Sequence, residues 1–150
     1  VQEALFASGI DSRVQELPDS TRTAREAAEA IGCRVGQIAK SLVFKGVESG
    51  RPVLVIASGA NRVDEALLSE AVGERVAIAD ADFARQQTGF AIGGVPPVGH
   101  IQEIPTYVDE DLLAFEEIWA AAGTPHAVFP LKPEDLLAIT SGHRLVVQGR

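Results

Sequence analysis

"QIAKSLVFK" (residues 37–45), followed by "RPVLVIASG" (51–59), is the stretch on which the fold turns. Both are short runs of aliphatic residues, and the Gly46–Gly50 segment between them carries turn residues, so the pair reads as two strands joined by a turn. In the first strand, alternation puts Ile38, Lys40, Leu42 and Phe44 on one face and Ala39, Ser41, Val43 and Lys45 on the other. Lys40 therefore stands on the more apolar face. A cation there is costly unless it is paired or faces a pocket. Two readings follow: a lysine that snorkels or is salt-bridged at a strand edge, or one that borders a cavity. Lys45, at the strand end, reads as solvated.

Working outward, "VQEALFASG" reads as a short helix ended at Gly9, and "SRVQEL" as a strand. "TAREAAEAIG" carries the clearest helical signal, with Thr23 and Glu26 in capping-box spacing and Gly32 as its stop. Downstream, "DEALLSEAVG" is a helix capped by Asp64 and ended by Gly73, "ERVAIA" a short strand, and "DADFARQQTG" another helix. Strands are expected at 104–108, 116–121 and 126–130. Pro133, at the favoured first position, opens a last helix "PEDLLAIT", and "HRLVVQG" closes as a strand. Short strands and helices mix without regular βαβ spacing. The expectation is a single α/β domain over residues 1–150, with short helices flanking a mixed, curved sheet rather than a doubly wound parallel one.

Charged residues make up 23% of the 150 and aromatics only 5%, so this is an ordinary globular balance with a core of Ala, Val, Leu and Ile. One cysteine, Cys33, excludes an intrachain disulfide framework and a Cys-based zinc site, and reads as small core filler. No apolar run approaches the ~20 residues of a membrane span, and no signal-peptide pattern opens the sequence. A soluble cytoplasmic protein without a membrane partner is expected. The net charge of −8 argues against nonspecific coating of DNA or RNA. Residues 1–51 carry seven Lys/Arg against seven Asp/Glu, and residues 52–150 carry six against fourteen, so any bound phosphate belongs to the first third.

The least scaffold-like stretch is "GFAIGGVPPVGH" (89–100). Gly93 and Gly94 permit backbone conformations closed to other residues, while Pro96 and Pro97 fix φ and carry no N–H. Donors at Gly94 and Val95 would be held in a stiffened turn, a plausible carbonyl or oxyanion cradle; the competing reading is a tight structural turn. No G-K-[ST] follows, so this is no phosphate loop. His100 reads as a general base or as a surface or capping residue. His126 and His143 lack metal-ligand spacing with any carboxylate, and no metal site is expected. Asp109, Glu110, Asp111, Glu116 and Glu117 read as a solvated acidic face. Ser58, in "ASGAN", lacks the flanks of a nucleophile elbow.

Lys40 within "GQIAKSLVF", followed some fifty residues later by "TGFAIGGVPPVGH", resembles the YbaK/prolyl-tRNA synthetase editing-domain family. The likeness extends to "TAREAAEAIG", "NRVDEALLSEAVG", "IPTYVDEDLL" and "PEDLLAIT", nearly the whole length. It implies a mixed α/β fold around a barrel-like sheet, and hydrolysis of the ester joining an amino acid to the terminal adenosine of tRNA. It implies no cofactor, metal or covalent nucleophile. Lys40 would grip the phosphate or ribose end of the acceptor. Backbone N–H groups of Gly93 through Pro97 (Gly93, Gly94 and Val95 foremost) would hold the ester carbonyl while water or the ribose 2′-hydroxyl attacks. Arg22, Arg25 and Arg34 are the expected tRNA contacts, and a prolyl-tRNA synthetase is a possible partner.

The sequence departs from the cysteine-removing branch of that family. Pro96 replaces a loop serine, Ala121 and Val128 stand for a serine and an aspartate, and Thr23 replaces an aromatic residue. With Pro97, Gly99 and His100 these are the expected substrate-binding positions. Fewer polar handles point to alanine or 2-aminobutyrate, while Thr23 and His100 leave serine and threonine open. A cysteinyl-, seryl- or threonyl-tRNA deacylase of the same family is the alternative, and a tRNA- or synthetase-binding module that lost catalysis is the alternative from another class. A small-molecule esterase lacks an activated nucleophile.

Overall fold

The computed structural model describes residues 1–148, and the mixed α/β architecture is observed. Five helices flank the sheet: α1 (Gln2–Ala7), α2 (Ala24–Ile31), α3 (Glu65–Val72), α4 (Ala81–Thr88) and α5 (Pro133–Thr140). Among the described residues, eight strands form one sheet: β1 (Gln15–Glu16), β2 (Ile38–Gly46), β3 (Pro52–Ser58), β4 (Val76–Ile78), β5 (Thr106–Asp109), β6 (Ile118–Ala121), β7 (Ala127–Leu131) and β8 (His143–Leu145). The path runs β1-β7-β6-β2-β3-β5-β8, with β4 added to β2. It is curled but open, because β1 and β8 stand at opposite ends of the path.

Local signals set most boundaries. The Thr23 side chain accepts the Glu26 N–H at 3.1 Å, and Asp64 and Asp80 cap α3 and α4 in the same way. Several strands are shorter than their patterns suggest, β1 and β8 most of all. Around β1, the Gln2 side chain donates to the Ser12 carbonyl and accepts the Val14 N–H, so those groups are satisfied without a ladder. Beyond β8 the chain leaves β5. The Val147 carbonyl accepts the Asp64 N–H and the Gln148 side chain accepts the Arg62 N–H, tying the tail to the loop before α3. Gly149, the end of the expected last strand, and Arg150 lie outside the described residues.

β2 and β3 pair antiparallel from Ala39↔Ser58 to Lys45↔Pro52. β3 is covered on both faces, hence its unbroken apolar run. Leu54 and Ile56 join Val43, Val108, Ile118 and Phe129 in the main core. Val53, Val55 and Ala57 meet Phe44, Leu68 of α3 and Val147 in a second one. On its other edge β2 has two partners: β6, parallel, at Ile38 and Ala39, and β4, antiparallel, from Phe44 to Gly46.

Leu54, fully buried, should cost about 2–5 kcal/mol on truncation to Ala. Val47→Ala, at a 57% exposed position, should stay within about 0.5 kcal/mol. Urea unfolding of both variants checks the contrast.

Candidate active site

A cavity of about 500 Å³ opens where β2 passes between its two outer partners. Of the residues expected at a site, Arg22, Thr23, Lys40, Gly93, Val95, Ala121 and Val128 border it. Lys40 is held by a chain of contacts. Its Nζ donates to the Asn61 carbonyl at 2.8 Å. The Asn61 side-chain amide donates to Asp109 Oδ2 at 2.9 Å and to Asp111 Oδ2 at 2.7 Å. Asp109 also accepts the Ser58 N–H at 3.0 Å and the Asp111 N–H at 2.9 Å. Burial lowers the pKa of Lys40 below the ordinary lysine value; the Asp109 carboxylate opposes this and Arg62 adds to it.

Asp109 is a correction to the sequence reading. It is 1% exposed, not part of a solvated face, because the end of β5 turns its carboxylate onto the end of β3. Glu110, Glu116 and Glu117 are exposed as expected.

The glycine-proline loop supplies less free donor than its composition promises. Gly93 has φ +92°, and a Cβ there would sit 2.5 Å from Arg22 Cγ, so the glycine lets Arg22 lie across the loop. A Cβ on Gly94 would meet the Gly123–Thr124 backbone at 3.1 Å. The Gly94 N–H is already given to the Ala91 carbonyl at 3.1 Å, which removes it as a free cradle donor. The Val95 N–H makes no hydrogen bond among the described residues.

The prolines and His100 turn away from Lys40. Pro96 is buried and borders no cavity with Lys40, while Pro97, Gly99 and His100 line a separate cavity of about 820 Å³ against Ala4, Ser8 and the end of α5. His100 Nε2 lies 2.6 Å from the Pro96 carbonyl, so the imidazole clips the loop. Burial lowers its pKa, and the bond to the Pro96 carbonyl opposes that shift. These four residues, expected at the substrate, are not brought to the cavity that Lys40 borders. Arg25 and Arg34 are exposed outside the cavity, Arg25 beside Glu29 at 3.8 Å. Among the described residues no group of three or more His, Cys, Asp or Glu is placed to hold a metal.

The sequence profile of the aminoacyl-tRNA editing domain matches residues 18–139. The chain belongs to that family. The editing domain is 32% identical to the uncharacterized protein YwhH of Bacillus subtilis, over 84% of this chain and 80% of that one. It is 31% identical to EbsC of Enterococcus faecalis, named as a candidate Cys-tRNA(Pro)/Cys-tRNA(Cys) deacylase, over 80% of this chain and 73% of that protein. A crystal structure described as a candidate trans-editing enzyme for prolyl-tRNA synthetase superimposes with a TM-score of 0.93 at 49% identity, covering 99% of this chain and 94% of that one.

The editing domain also places at its cavity residues that the sequence did not single out. Trp119 and Ala120 of β6 border it, as do Ser41 of β2 and Ile92 of the loop. Trp119 registers with Ile38 across a parallel pair more than seventy residues apart in the chain, which no local pattern reveals. Asn61 and Asp109 are likewise joined only by the fold. Ser58 donates its hydroxyl to the Gly36 carbonyl at 2.8 Å and so clamps the start of β2.

Asp109→Ala would leave the Ser58 N–H, the Asp111 N–H and one of the two Asn61 amide hydrogens without their acceptor. A loss of roughly 1–3 kcal/mol is expected for each unpaired buried group. Denaturant titration should show this in full, with Asp111→Ala, at a half-buried position, costing less.

Proposed function

We propose that this editing domain hydrolyses the ester linking a small amino acid to the terminal adenosine of a mischarged tRNA, tRNA-Pro foremost. The observation that carries the reading is the meeting, in one largely apolar cavity, of the Lys40 cation with Gly93 and Val95 of the loop. A cavity of about 500 Å³ is of the size that takes a small ligand. The relatives named for Cys-tRNA deacylation and for editing beside prolyl-tRNA synthetase support the reaction class and the tRNA.

In this reading the ester carbonyl lies against the Val95 N–H, which stabilises the oxyanion as it forms. A water molecule, or the ribose 2′-hydroxyl, adds to the carbonyl carbon; the bond to the ribose 3′-oxygen breaks and that oxygen takes up a proton. Lys40 and Arg22 hold the ribose-phosphate end, so the ester is presented in one orientation. Trp119 offers an aromatic surface for the terminal base. Such chemistry belongs to the cytoplasm, where tRNA is charged. A prolyl-tRNA synthetase that releases the mischarged tRNA is the natural partner.

Ala120, Ala121, Val95 and Val128 supply the walls where an amino-acid side chain would sit, which favours alanine or 2-aminobutyrate. Pro96 no longer supports that preference, since it does not border the cavity; the walls do. One methylene discriminates by only ~1–3 kcal/mol, which is why synthetases need separate editing of small amino acids. Cysteine is the second reading, favoured by the likeness to EbsC.

Deacylation of alanyl-, 2-aminobutyryl-, seryl- and cysteinyl-tRNA-Pro should be fastest for the first two. A clear preference for cysteinyl-tRNA overturns the alanine assignment. Lys40→Ala should lower kcat/KM by roughly 10²-fold, as expected for lost substrate positioning, with its circular dichroism unchanged.

The pH profile follows from Lys40. Burial favours its neutral form, so the ammonium is lost at lower pH than in an exposed lysine, whose ordinary value is about 10.4. Enzymatic turnover, corrected for spontaneous ester hydrolysis, should therefore fall on the alkaline side before that value. A corrected rate still rising through pH 10 would contradict a role for the charged lysine.

A further inference from the structure

The cavity crosses β2 at a stretch where one edge of the strand has no partner. β6 ends its pairing at Ala39 and β4 begins at Phe44, so residues 40–43 stand between two partner strands. The parity of this edge is fixed by two bonds. The Val43 carbonyl accepts the Ala79 N–H at 3.0 Å on the β4 side, while the Ile38 carbonyl accepts the Gly59 N–H at 2.7 Å on the β3 side. Odd-numbered residues thus turn their backbone groups outward, and the Ser41 N–H and C=O point to the gap rather than to β3.

A second observation concerns the Ser41 side chain. Its Oγ is buried and has no hydrogen-bond partner, the one such side-chain atom among the described residues. The other hydroxyls bordering the cavity are engaged. Thr21 Oγ1 donates to the Pro125 carbonyl at 2.9 Å, and Thr23 Oγ1 is committed to the cap of α2. Among the described residues no carboxylate borders the cavity.

We infer that Ser41 is the subsite for the α-ammonium group of the aminoacyl ester, its main-chain carbonyl and Oγ accepting that group's hydrogens. This rests on the deacylase reading and sharpens its substrate class. An aminoacyl ester with an apolar side chain brings two polar groups at its amino-acid end. The carbonyl oxygen needs a donor, and the Val95 N–H is free to serve. The ammonium has donors only and needs acceptors. It is repelled by the Lys40 cation, whose Nζ lies on the opposite face of β2 from Ser41. The substrate class is therefore esters with a free α-amino group. N-blocked esters, such as peptidyl- or formylaminoacyl-tRNA, lack that charge and are spared.

The test compares wild type, Ser41→Ala and Ser41→Thr on alanyl-tRNA, propionyl-tRNA (the same ester without the amine) and N-acetylalanyl-tRNA. The ratio of variant to wild type on each ester cancels intrinsic ester reactivity. Ser41→Ala should lower kcat/KM on alanyl-tRNA about tenfold, mainly through KM, as for loss of a hydrogen bond to a charged group. It should leave propionyl-tRNA unchanged, Ser41→Thr should retain most of the alanyl activity, and wild type should not hydrolyse N-acetylalanyl-tRNA. The Tm of Ser41→Ala should equal or exceed that of wild type, because an unpartnered hydroxyl is removed. Equal losses on alanyl- and propionyl-tRNA, rapid turnover of N-acetylalanyl-tRNA, or a marked drop in Tm would each overturn the assignment. Wild-type inactivity on all three esters and on cysteinyl-tRNA would instead overturn the deacylase reading, and the subsite with it.

Discussion

A buried carboxylate holds the functional end of this fold together. Asp109 closes β5, yet its two oxygens take the N–H of Ser58 at the end of β3, the side-chain amide of Asn61 and the N–H of Asp111. Those bonds fix the turn after β3, and the turn carries the Asn61 carbonyl that receives Lys40. A carboxylate removed from water is tolerated only when its lone pairs are satisfied, and here backbone and amide donors do so. Lys40 is thereby aimed without a direct ion pair among the described residues. A full salt bridge would neutralise the lysine in place; a neutral carbonyl orients it and leaves its charge available to a phosphate or ribose oxygen.

The same contacts show what a sequence can and cannot disclose. Helix starts were legible because the cap residue lies within three positions of the group it serves, as with Thr23 and Glu26 or Asp80 and Phe83. The β2–β3 pair was legible because alternation and a glycine-flanked turn are local. Asp109 was not, since its meaning depends on Ser58, fifty-one residues away. Within "DEDLLAFEE" a buried carboxylate and solvated ones look alike. β1 and β8 were over-extended for a related reason: the Gln2 side chain satisfies the Ser12 carbonyl and Val14 N–H, and the Asp64 N–H donates to the Val147 carbonyl, groups that the pattern assigned to a ladder.

The loop at 89–100 illustrates a subtler limit. Closeness in sequence suggested that Gly93 and His100 serve one site. The buried Pro96–Pro97 step sends the chain through the wall, so Gly93 and Val95 face one cavity and His100 another. The histidine contributes to the site only through the bond to the Pro96 carbonyl that steadies the loop. Glycine is suited to 93 because φ is +92° and a Cβ would sit 2.5 Å from Arg22 Cγ, and to 94 because a Cβ would press on the Gly123–Thr124 backbone at 3.1 Å, rather than to bare a row of donors.

The break along β2 links fold to function. A sheet covered on both faces offers no entrance through its middle, and a β2 paired along its whole outer edge would seal the space between Lys40 and Val95. By giving that edge to β6 at one end and β4 at the other, the fold leaves the backbone of Ser41 without a strand to pair with. Unpaired main-chain groups and an orphaned hydroxyl cost stability. They persist where a site needs them, which is the usual place for local rules of folding to be broken. The opening also brings both faces of one strand to a single cavity, Lys40 and Leu42 from one side, Ala39, Ser41 and Val43 from the other. One strand can thus present a cation to the nucleotide end of an ester and acceptors to its amino-acid end, separated by no more than the thickness of the sheet.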